Sequence, residues 1–224
     1  MDAVIFDCDG VLIDSETIAH EVEMRALKTL GLVFDPEDYR RKFQGLAVKS
    51  WRRFLDEDHR AQLGKPLPDP FIDNLCAEIS HAILSDIRPI DGAVAAVRAF
   101  GRAKSVASSS PGHELKGKIA GLGLAADFGD HVYSGDDVEH GKPAPDLFLL
   151  ASSRLAITPS RCLVIEDSGH GVTAAVAAGM TVWGFVGGPH CSPDQAQLLE
   201  QNGARRVFKH MNEIATALQA LGNE

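Results

Sequence analysis

The first residues that could do chemistry are two carboxylates that follow an apolar run. Asp7 and Asp9 come directly after Ala3–Phe6, in the sequence Asp7-Cys8-Asp9-Gly10. Side chains two positions apart on an extended segment point the same way, so both carboxylates are expected to face one site while Cys8 turns into the core. Two carboxylates held together repel each other unless a cation relieves the repulsion. A hard divalent ion with oxygen ligands, Mg²⁺, is therefore the expected cofactor.

Further polar groups follow other apolar runs. Ser108 and Ser109 follow the second run and precede a predicted helix. The serine hydroxyls and the free backbone N–H groups at the start of that helix suit a phosphate. Glu166 and Asp167 follow the fourth run, and Lys142 lies in a loop before another helix. Each group taken singly also fits a turn or a helix cap. Their order at successive strand ends favours one joint site, because ligands of open α/β sheets bind beyond the carboxyl ends of the strands.

Short apolar runs alternate with helical patterns along most of the chain. Near-continuous apolar strands that alternate with helices are typical of a parallel sheet covered on both faces. The predicted fold class is therefore α/β, a doubly wound, Rossmann-like parallel sheet. The predicted strands are Ala3–Phe6, Ser105–Ala107, His131–Tyr133, Cys162–Ile165, Thr181–Phe185 and Arg206–Phe208.

Roughly a hundred residues separate the first two predicted strands, far more than a usual crossover. We therefore expect an inserted all-helical cap domain over residues 15–86 and a catalytic core formed by residues 1–14 and 87–224. The predicted cap helices are Glu16–Leu30, Pro36–Phe43, Val48–Gln62 and Pro70–Leu84. In the core, helices are predicted to start at Ser110, Thr158 and Ser192, each of which precedes a proline.

The composition limits the partners of the chain. It has 224 residues, 45% hydrophobic and 24% charged, which is typical of a soluble globular protein. The formal net charge of −9, without a long basic cluster, argues against nucleic acid and anionic membranes as partners. Widely spaced cysteines and the lack of a signal sequence favour a cytoplasmic protein, which we expect to be a monomer. The uncharged stretch Gly171–Gly188 predicts a buried helix and strand rather than a membrane span.

Four short motifs, in order along the chain, resemble those of the haloacid dehalogenase-like hydrolases. They are Asp7-x-Asp9-Gly10-Val11, Ser108, Lys142-Pro143 and Glu166-Asp167. The helical insert after the first motif resembles the cap of the β-phosphoglucomutase-like and phosphatase subgroup of that superfamily. The resemblance covers essentially the whole chain.

The resemblance implies a Mg²⁺-dependent phosphatase that hydrolyses a small phosphorylated metabolite, a sugar or sugar-acid phosphate. Asp7 is implied as the nucleophile that forms an aspartyl-phosphate. Asp9 is implied as the acid that protonates the leaving group and then as the base that activates water. The implied phosphate contacts are Ser108, Ser109 and Lys142, of which Ser108 and Lys142 are also implied to be catalytic. The implied metal ligands are Asp7, the main-chain carbonyl of Asp9, Asp167, and Glu166 either directly or through water.

Two other functions stay open at this point. The first is a phosphosugar mutase of the β-phosphoglucomutase type. It is disfavoured because the cap His of that subgroup corresponds to Ala19, with His20 one residue away, and Lys49 replaces the cap Arg one position late. The second is a non-catalytic phospho-acceptor or binding protein, which the long insert and Asp9 oppose. Asp9 also favours phosphoryl chemistry over carbon–halogen cleavage.

Residues outside the four motifs carry weaker signals. In the cap, Lys49 and Arg52 are predicted to contact the substrate. His190 and Cys191 are predicted to lie in a loop after the last long strand, without a metal role. The remaining histidines, His59 among them, lack the spacing of metal ligands and are predicted to be surface or capping residues.

Overall fold

A six-stranded parallel sheet organises the larger part of the molecule. The computed structural model describes residues 1–43 and 48–222. The strands are β1 (Ala3–Phe6), β2 (Ala103–Ser108), β3 (Val132–Ser134), β4 (Cys162–Glu166), β5 (Thr181–Phe185) and β6 (Arg206–Phe208). Their order across the sheet is β3-β2-β1-β4-β5-β6. The predicted α/β class with a Rossmann-like parallel sheet is confirmed.

The described residues also form eleven α-helices. These are α1 (Ser15–Leu30), α2 (Pro36–Phe43), α3 (Val48–Leu63), α4 (Phe71–Ser85), α5 (Ala93–Ala99), α6 (Gly112–Gly121), α7 (Ala125–Phe128), α8 (Asp146–Arg154), α9 (Gly169–Ala177), α10 (Gln195–Gln201) and α11 (Met211–Gly222). The chain divides into two compact units. The core unit comprises Met1–Glu16 and Ile87–Glu224, and the helical unit comprises Thr17–Asp86.

The first strand lies at the centre of the sheet and aligns its neighbours. Ala3 pairs with Ala103 of β2 on one side and with Cys162 of β4 on the other. The alignment continues past the strand, because the backbone N–H of Asp7 donates to the carbonyl of Ile165 at 2.9 Å. The carboxyl ends of β1, β2 and β4 therefore meet at one edge, where Asp7, Ser108 and Glu166 lie.

Apolar side chains bury the middle of the core unit. All four residues of β1 and all five of β4 are buried, as expected of strands covered on both faces. The uncharged stretch after Gly171 forms most of α9 and then β5, as predicted. Among the described residues, no helix is both long enough and apolar enough to cross a membrane.

The helical unit has a separate apolar core. Aromatic and aliphatic side chains from α1 to α4 bury one another there; the fully or nearly fully buried ones are Val22, Leu27, Leu32, Tyr39, Phe43, Trp51, Leu55, Ile72 and Leu75. The indole N–H of Trp51 donates to the Tyr39 hydroxyl at 3.0 Å, which satisfies the polar atom of a buried Trp. His59 is fully buried, with Nδ1 2.6 Å from the Lys65 carbonyl oxygen. The prediction of a surface or capping role for His59 was wrong about its exposure.

Two predicted helix starts in the core unit differ in the structure. After Thr158 the chain makes only a 3-10 turn, Pro159–Arg161, because Cys162 enters β4 directly and leaves no length for a helix. Ser192 does not cap α10, which begins at Gln195; its hydroxyl instead donates to Asp194 at 2.6 Å. In both places the proline signals a turn rather than a full helix.

Candidate active site

Three carboxylates meet beyond the ends of β1 and β4. Oxygen atoms of Asp7, Glu166 and Asp167 lie within 4.8 Å of one another, and all three side chains are buried. Asp7 directly follows β1, Glu166 is the last residue of β4, and Asp167 follows it. The strand pairing that aligns β1 with β4 therefore brings these predicted residues together.

Lys142 reaches this cluster from the loop before α8. Its Nζ donates to Asp7 Oδ1 at 2.6 Å, to Glu166 Oε1 at 2.7 Å and to the Ala107 carbonyl at 3.0 Å. The side chain is 5% exposed, so this ammonium is nearly removed from water. A buried charge is tolerated only when it is paired and hydrogen-bonded, and here all three donors have acceptors. Lys142 therefore lies among the acids of the cluster.

The charges of the cluster do not balance within the protein. Burial raises the pKa of Asp7 well above its usual value; Lys142 opposes this rise, and Glu166 and Asp167 add to it. Burial, with a contribution from Glu166, likewise raises the pKa of Asp167. Such a set of hard oxygen donors fits a divalent cation, which would stabilise all three carboxylates in their charged form.

Two glycines make room for the carboxylates because they carry no side chain. A Cβ atom on Gly171, in the first turn of α9, would lie 1.7 Å from Glu166 Oε1. A Cβ on Gly10 would lie 2.0 Å from Asp167 Oδ2, and Gly10 has φ +78°, a left-handed conformation that disfavours other residues. Any side chain at either position would displace an acid of the cluster. The Asp-x-Asp-Gly pattern therefore has a steric reason at its glycine.

Asp9 lies beside this cluster and is held by other groups. Its Oδ1 accepts from Lys118 Nζ at 2.7 Å, and its Oδ2 accepts from the hydroxyls of Ser110 at 2.6 Å and Ser108 at 3.1 Å. Ser110 was predicted as the cap of α6, but Pro111 occupies that position and makes no side-chain cap. Its hydroxyl is used for Asp9 instead, and the cap prediction was wrong.

Electrostatics keep Asp9 ionised. Burial opposes its charge, but Lys118 and hydrogen bonds from Ser110 and Ser15 outweigh burial and lower the pKa of Asp9. Burial likewise opposes the charge of Lys118, and Asp9 outweighs it, so the pKa of Lys118 is raised. The two groups form an ion pair next to the acidic cluster, in which the lysine side chain is 1% and the aspartate side chain 25% exposed.

His190 is a second residue that the sequence did not assign to the site. Its Nε2 lies 2.7 Å from Asp167 Oδ2 although 22 residues separate them in the chain, and Cys191 Sγ lies 3.5 Å from the same nitrogen. Burial opposes protonation of the ring, but the hydrogen bond with Asp167 raises the pKa of His190 to about 10. The ring is therefore charged and donates to Asp167. The predicted loop holds His190 against a carboxylate of the cluster.

The other predicted residues lie as follows. Ser108 is buried at the end of β2, where its Oγ accepts from the backbone N–H of Ser110 at 3.1 Å. Ser109 is exposed. Lys49 and Arg52 lie on α3 of the helical unit, where Arg52 forms an ion pair with Asp73 at 2.5 Å. Their predicted contact with substrate stays a prediction.

Comparison with known proteins identifies the family to which this fold and site belong. Residues 1–179 match the haloacid dehalogenase-like hydrolases. The chain is 28% identical to 6-phosphogluconate phosphatase of Escherichia coli, over 86% of each chain. It is 32% identical to a phosphorylated carbohydrates phosphatase of Thermotoga maritima, over 92% of this chain and 94% of the other.

A solved structure agrees with this assignment. The HAD family hydrolase of Deinococcus radiodurans, crystallised with phosphate and sodium, superposes with a TM-score of 0.85 and 35% identity. The match covers 99% of this chain and 96% of the other. The protein therefore belongs to the haloacid dehalogenase-like hydrolases. The family and the named phosphatase relatives support an enzyme that hydrolyses phosphomonoesters, so the predicted enzyme class is confirmed.

Proposed function

We propose that this chain is a Mg²⁺-dependent phosphatase that hydrolyses the phosphate ester of a small sugar or sugar acid. The observation that carries the proposal is the buried carboxylate of Asp7, which Lys142 holds at 2.6 Å inside the cluster with Glu166 and Asp167. The relatives named 6-phosphogluconate phosphatase and phosphorylated carbohydrates phosphatase support a phosphorylated sugar or sugar acid as the substrate.

Residues of this chain would perform two half-reactions. In the first, the Asp7 carboxylate attacks phosphorus, and the phosphorus–oxygen bond to the leaving alcohol breaks as Asp9, which takes up a proton with the incoming substrate, gives that proton to the oxygen. In the second, water attacks the aspartyl-phosphate, its proton passes to Asp9, and the bond between phosphorus and Asp7 breaks. Phosphate then leaves together with the proton of Asp9, so Asp7 and Asp9 return to their starting ionised states.

Charge stabilisation would come from groups around the phosphoryl oxygens. Lys142 and the hydroxyl of Ser108 lie at the ends of neighbouring elements and suit the equatorial oxygens, where transition-state charge lies. Asp7, Asp167, Glu166 and the main-chain carbonyl of Asp9 would hold the magnesium ion. When bound, that ion would neutralise charge between the anionic nucleophile and the anionic phosphoryl group.

Phosphate release from a defined set of compounds tests the proposal. The set is 6-phosphogluconate, fructose 1-phosphate, glucose 6-phosphate and p-nitrophenyl phosphate, each assayed with EDTA and after addition of Mg²⁺. Turnover that needs Mg²⁺ and disappears in Asp7→Asn, but persists in the matched Asp130→Asn variant of an exposed acid, is expected. Acid-quenched peptide mass spectrometry is expected to find one phosphoryl group on Asp7.

Other outcomes would favour the alternatives. Conversion of β-glucose 1-phosphate in the presence of a bisphosphate primer, faster than phosphate release, would favour the mutase. Absence of turnover on every compound, with or without Mg²⁺, would favour a binding protein. Phosphatase activity that Asp7→Asn leaves intact would refute the assigned nucleophile.

The helical unit is proposed to determine substrate specificity through Lys49 and Arg52. Loss of a group that binds substrate and transition state equally raises KM and leaves kcat unchanged. Lys49→Met and Arg52→Met are therefore expected to raise KM for the sugar phosphates more than for p-nitrophenyl phosphate. Unchanged KM values in both variants would contradict this part of the proposal.

A further inference from the structure

The segment that follows β5 contacts Asp167 at two places, and neither contact involves the four motifs' own residues on both sides. His190 Nε2 lies 2.7 Å from Asp167 Oδ2, and the side-chain amide of Gln195 donates to the main-chain carbonyl of Asp167 at 2.6 Å. One contact therefore holds the carboxylate, and the other holds the backbone of the same residue. Together they fix the place of one acid of the cluster from outside the strand that carries it.

The imidazole ring of His190 fits closely between two loops. A Cβ atom on Gly188 would lie 2.3 Å from the ring atom Cε1, and a Cβ on Gly10 would lie 2.7 Å from the same atom. The backbone N–H of Cys191 donates to the Gly188 carbonyl at 3.0 Å, which closes a four-residue turn that contains His190. One glycine from each loop thus leaves the room that the ring occupies.

The contact between His190 and Asp167 is shielded from water. Each of the two side chains is 9% exposed. A hydrogen bond in such surroundings is stronger than one in water, because its partners interact in a low local dielectric. The contact does not depend on the charge of the ring, since Nε2 carries a hydrogen in the imidazolium and in one neutral tautomer.

The three acids of the cluster are oriented by different groups. Lys142 donates to one oxygen of Asp7 and to one oxygen of Glu166. Asp167 is held by His190 at its Oδ2 atom. Carboxylates that bind metal ions are commonly held by hydrogen bonds of this kind, and loss of such a partner lowers metal affinity about 10- to 100-fold.

We propose that His190 is a positioning residue for the cation site, because its Nε2–H group holds Asp167 Oδ2 and so orients the carboxylate within the acidic cluster. The other oxygen of Asp167, Oδ1, is then left for the cation. A carboxylate that is already oriented loses little rotational freedom when a cation binds, so the affinity is higher. This inference rests on the proposed magnesium site and adds to it a residue outside the four motifs.

The role predicts a loss of cation affinity in His190→Leu, which keeps an apolar side chain in the same place but has no hydrogen-bond donor. We expect the dissociation constant for Mn²⁺ to rise about 10- to 100-fold. Calorimetric titration of the EDTA-treated enzyme with Mn²⁺ alone measures it, since carboxylate ligands suit Mn²⁺ as they suit Mg²⁺. A purely structural role would reduce the amount of folded protein, which lowers the fitted stoichiometry and leaves the dissociation constant unchanged.

The charge of the ring cannot produce the same result. Removal of a positive charge near the site would by itself favour a cation, so a fall in affinity reports the lost hydrogen bond. His190→Gln offers an amide N–H in place of the imidazole N–H and should bind Mn²⁺ at least about 5-fold more tightly than His190→Leu. His210→Leu, at an exposed histidine after β6, is the matched control and should leave the dissociation constant unchanged.

A further variant keeps the test decisive if His190→Leu folds poorly. Gly188→Ala retains His190 but places a Cβ atom where the ring lies, so it should also weaken Mn²⁺ binding. Wild-type affinity in both variants, or equally weak binding by His190→Gln and His190→Leu, would overturn the role of His190. Absence of Mn²⁺ binding by the wild-type enzyme would instead refute the proposed magnesium site.

Discussion

The core unit and the helical unit differ in whether they contain buried charged side chains. In the core unit, Lys118 and Lys142 are buried and each contacts two carboxylates. In the helical unit, ion pairs lie at the surface; in the pair of Arg25 with Glu78, the side chains are 63% and 50% exposed. Buried pairs carry a large desolvation cost, whereas exposed pairs cost and contribute little.

The difference separates stability from catalysis within one chain. The helical unit derives its stability from an apolar core around Tyr39, Trp51 and Leu55. The core unit has an apolar interior too, but it also holds at its sheet edge a group of charges that water would otherwise solvate. Retention of such charges is expected where the reaction needs them. Substitutions in the two units should therefore affect different measurements.

The largest effect is expected for Lys142→Met, which leaves Asp7 and Glu166 without their shared cation. Removal of a preorganised charge from an active site lowers the rate by about 100- to 1,000-fold. For this variant we expect kcat/KM to fall by at least about 1,000-fold. The measurement is phosphate release, with circular dichroism to verify the fold. Activity within tenfold of the wild type would show that the buried cation is not needed for the chemistry.

Leu55→Ala is expected to lower the free energy of unfolding without removing any group of the active site. Leu55 is completely buried in the helical unit, so its truncation leaves a cavity and costs about 2–5 kcal/mol. Urea unfolding measures the loss. Leu63→Ala, at a side chain of the same helix that is 37% exposed, is the matched control and should change the free energy of unfolding by less than about 1 kcal/mol. Equal effects in the two variants would contradict the described packing.

Gly171→Ala should affect cation binding. The added Cβ would overlap the Glu166 carboxylate, so we expect divalent-cation affinity to fall about 10- to 100-fold, measured by calorimetric titration with Mg²⁺ or Mn²⁺. Gly101→Ala serves as the control, because a Cβ there meets no atom within 4 Å. Unchanged affinity in Gly171→Ala would exclude Glu166 from the cation site.

The smallest effect is expected for the exposed pair of Arg25 and Glu78. A double-mutant cycle with alanine at both positions should give a coupling energy of about 0.2–1 kcal/mol that salt abolishes. Urea unfolding at low and high ionic strength measures it. A coupling as large as the loss caused by Leu55→Ala would remove the contrast between the two units.

The sequence predicted the centre of the site because local signals and sheet topology agree there. Asp7, Glu166 and Asp167 each follow an apolar run, and parallel strands bring such ends together. Lys118 gave no such signal, since Glu114 four residues earlier makes it resemble one half of an exposed helical ion pair. His190 was missed because its contact with Asp167 joins two separate loops, which spacing alone does not reveal.

The central position of β1 also has a consequence for the order in which the enzyme can be assembled. This strand leaves the ribosome before its two partners in the sheet, which begin at Ala103 and Cys162. Until the second of these is synthesised, one edge of β1 and the apolar faces that it carries have no native partner. Domains whose contacts join distant segments fold slowly and expose apolar surface meanwhile. The nascent chain of this enzyme is accordingly expected to require chaperones until its fourth strand has emerged.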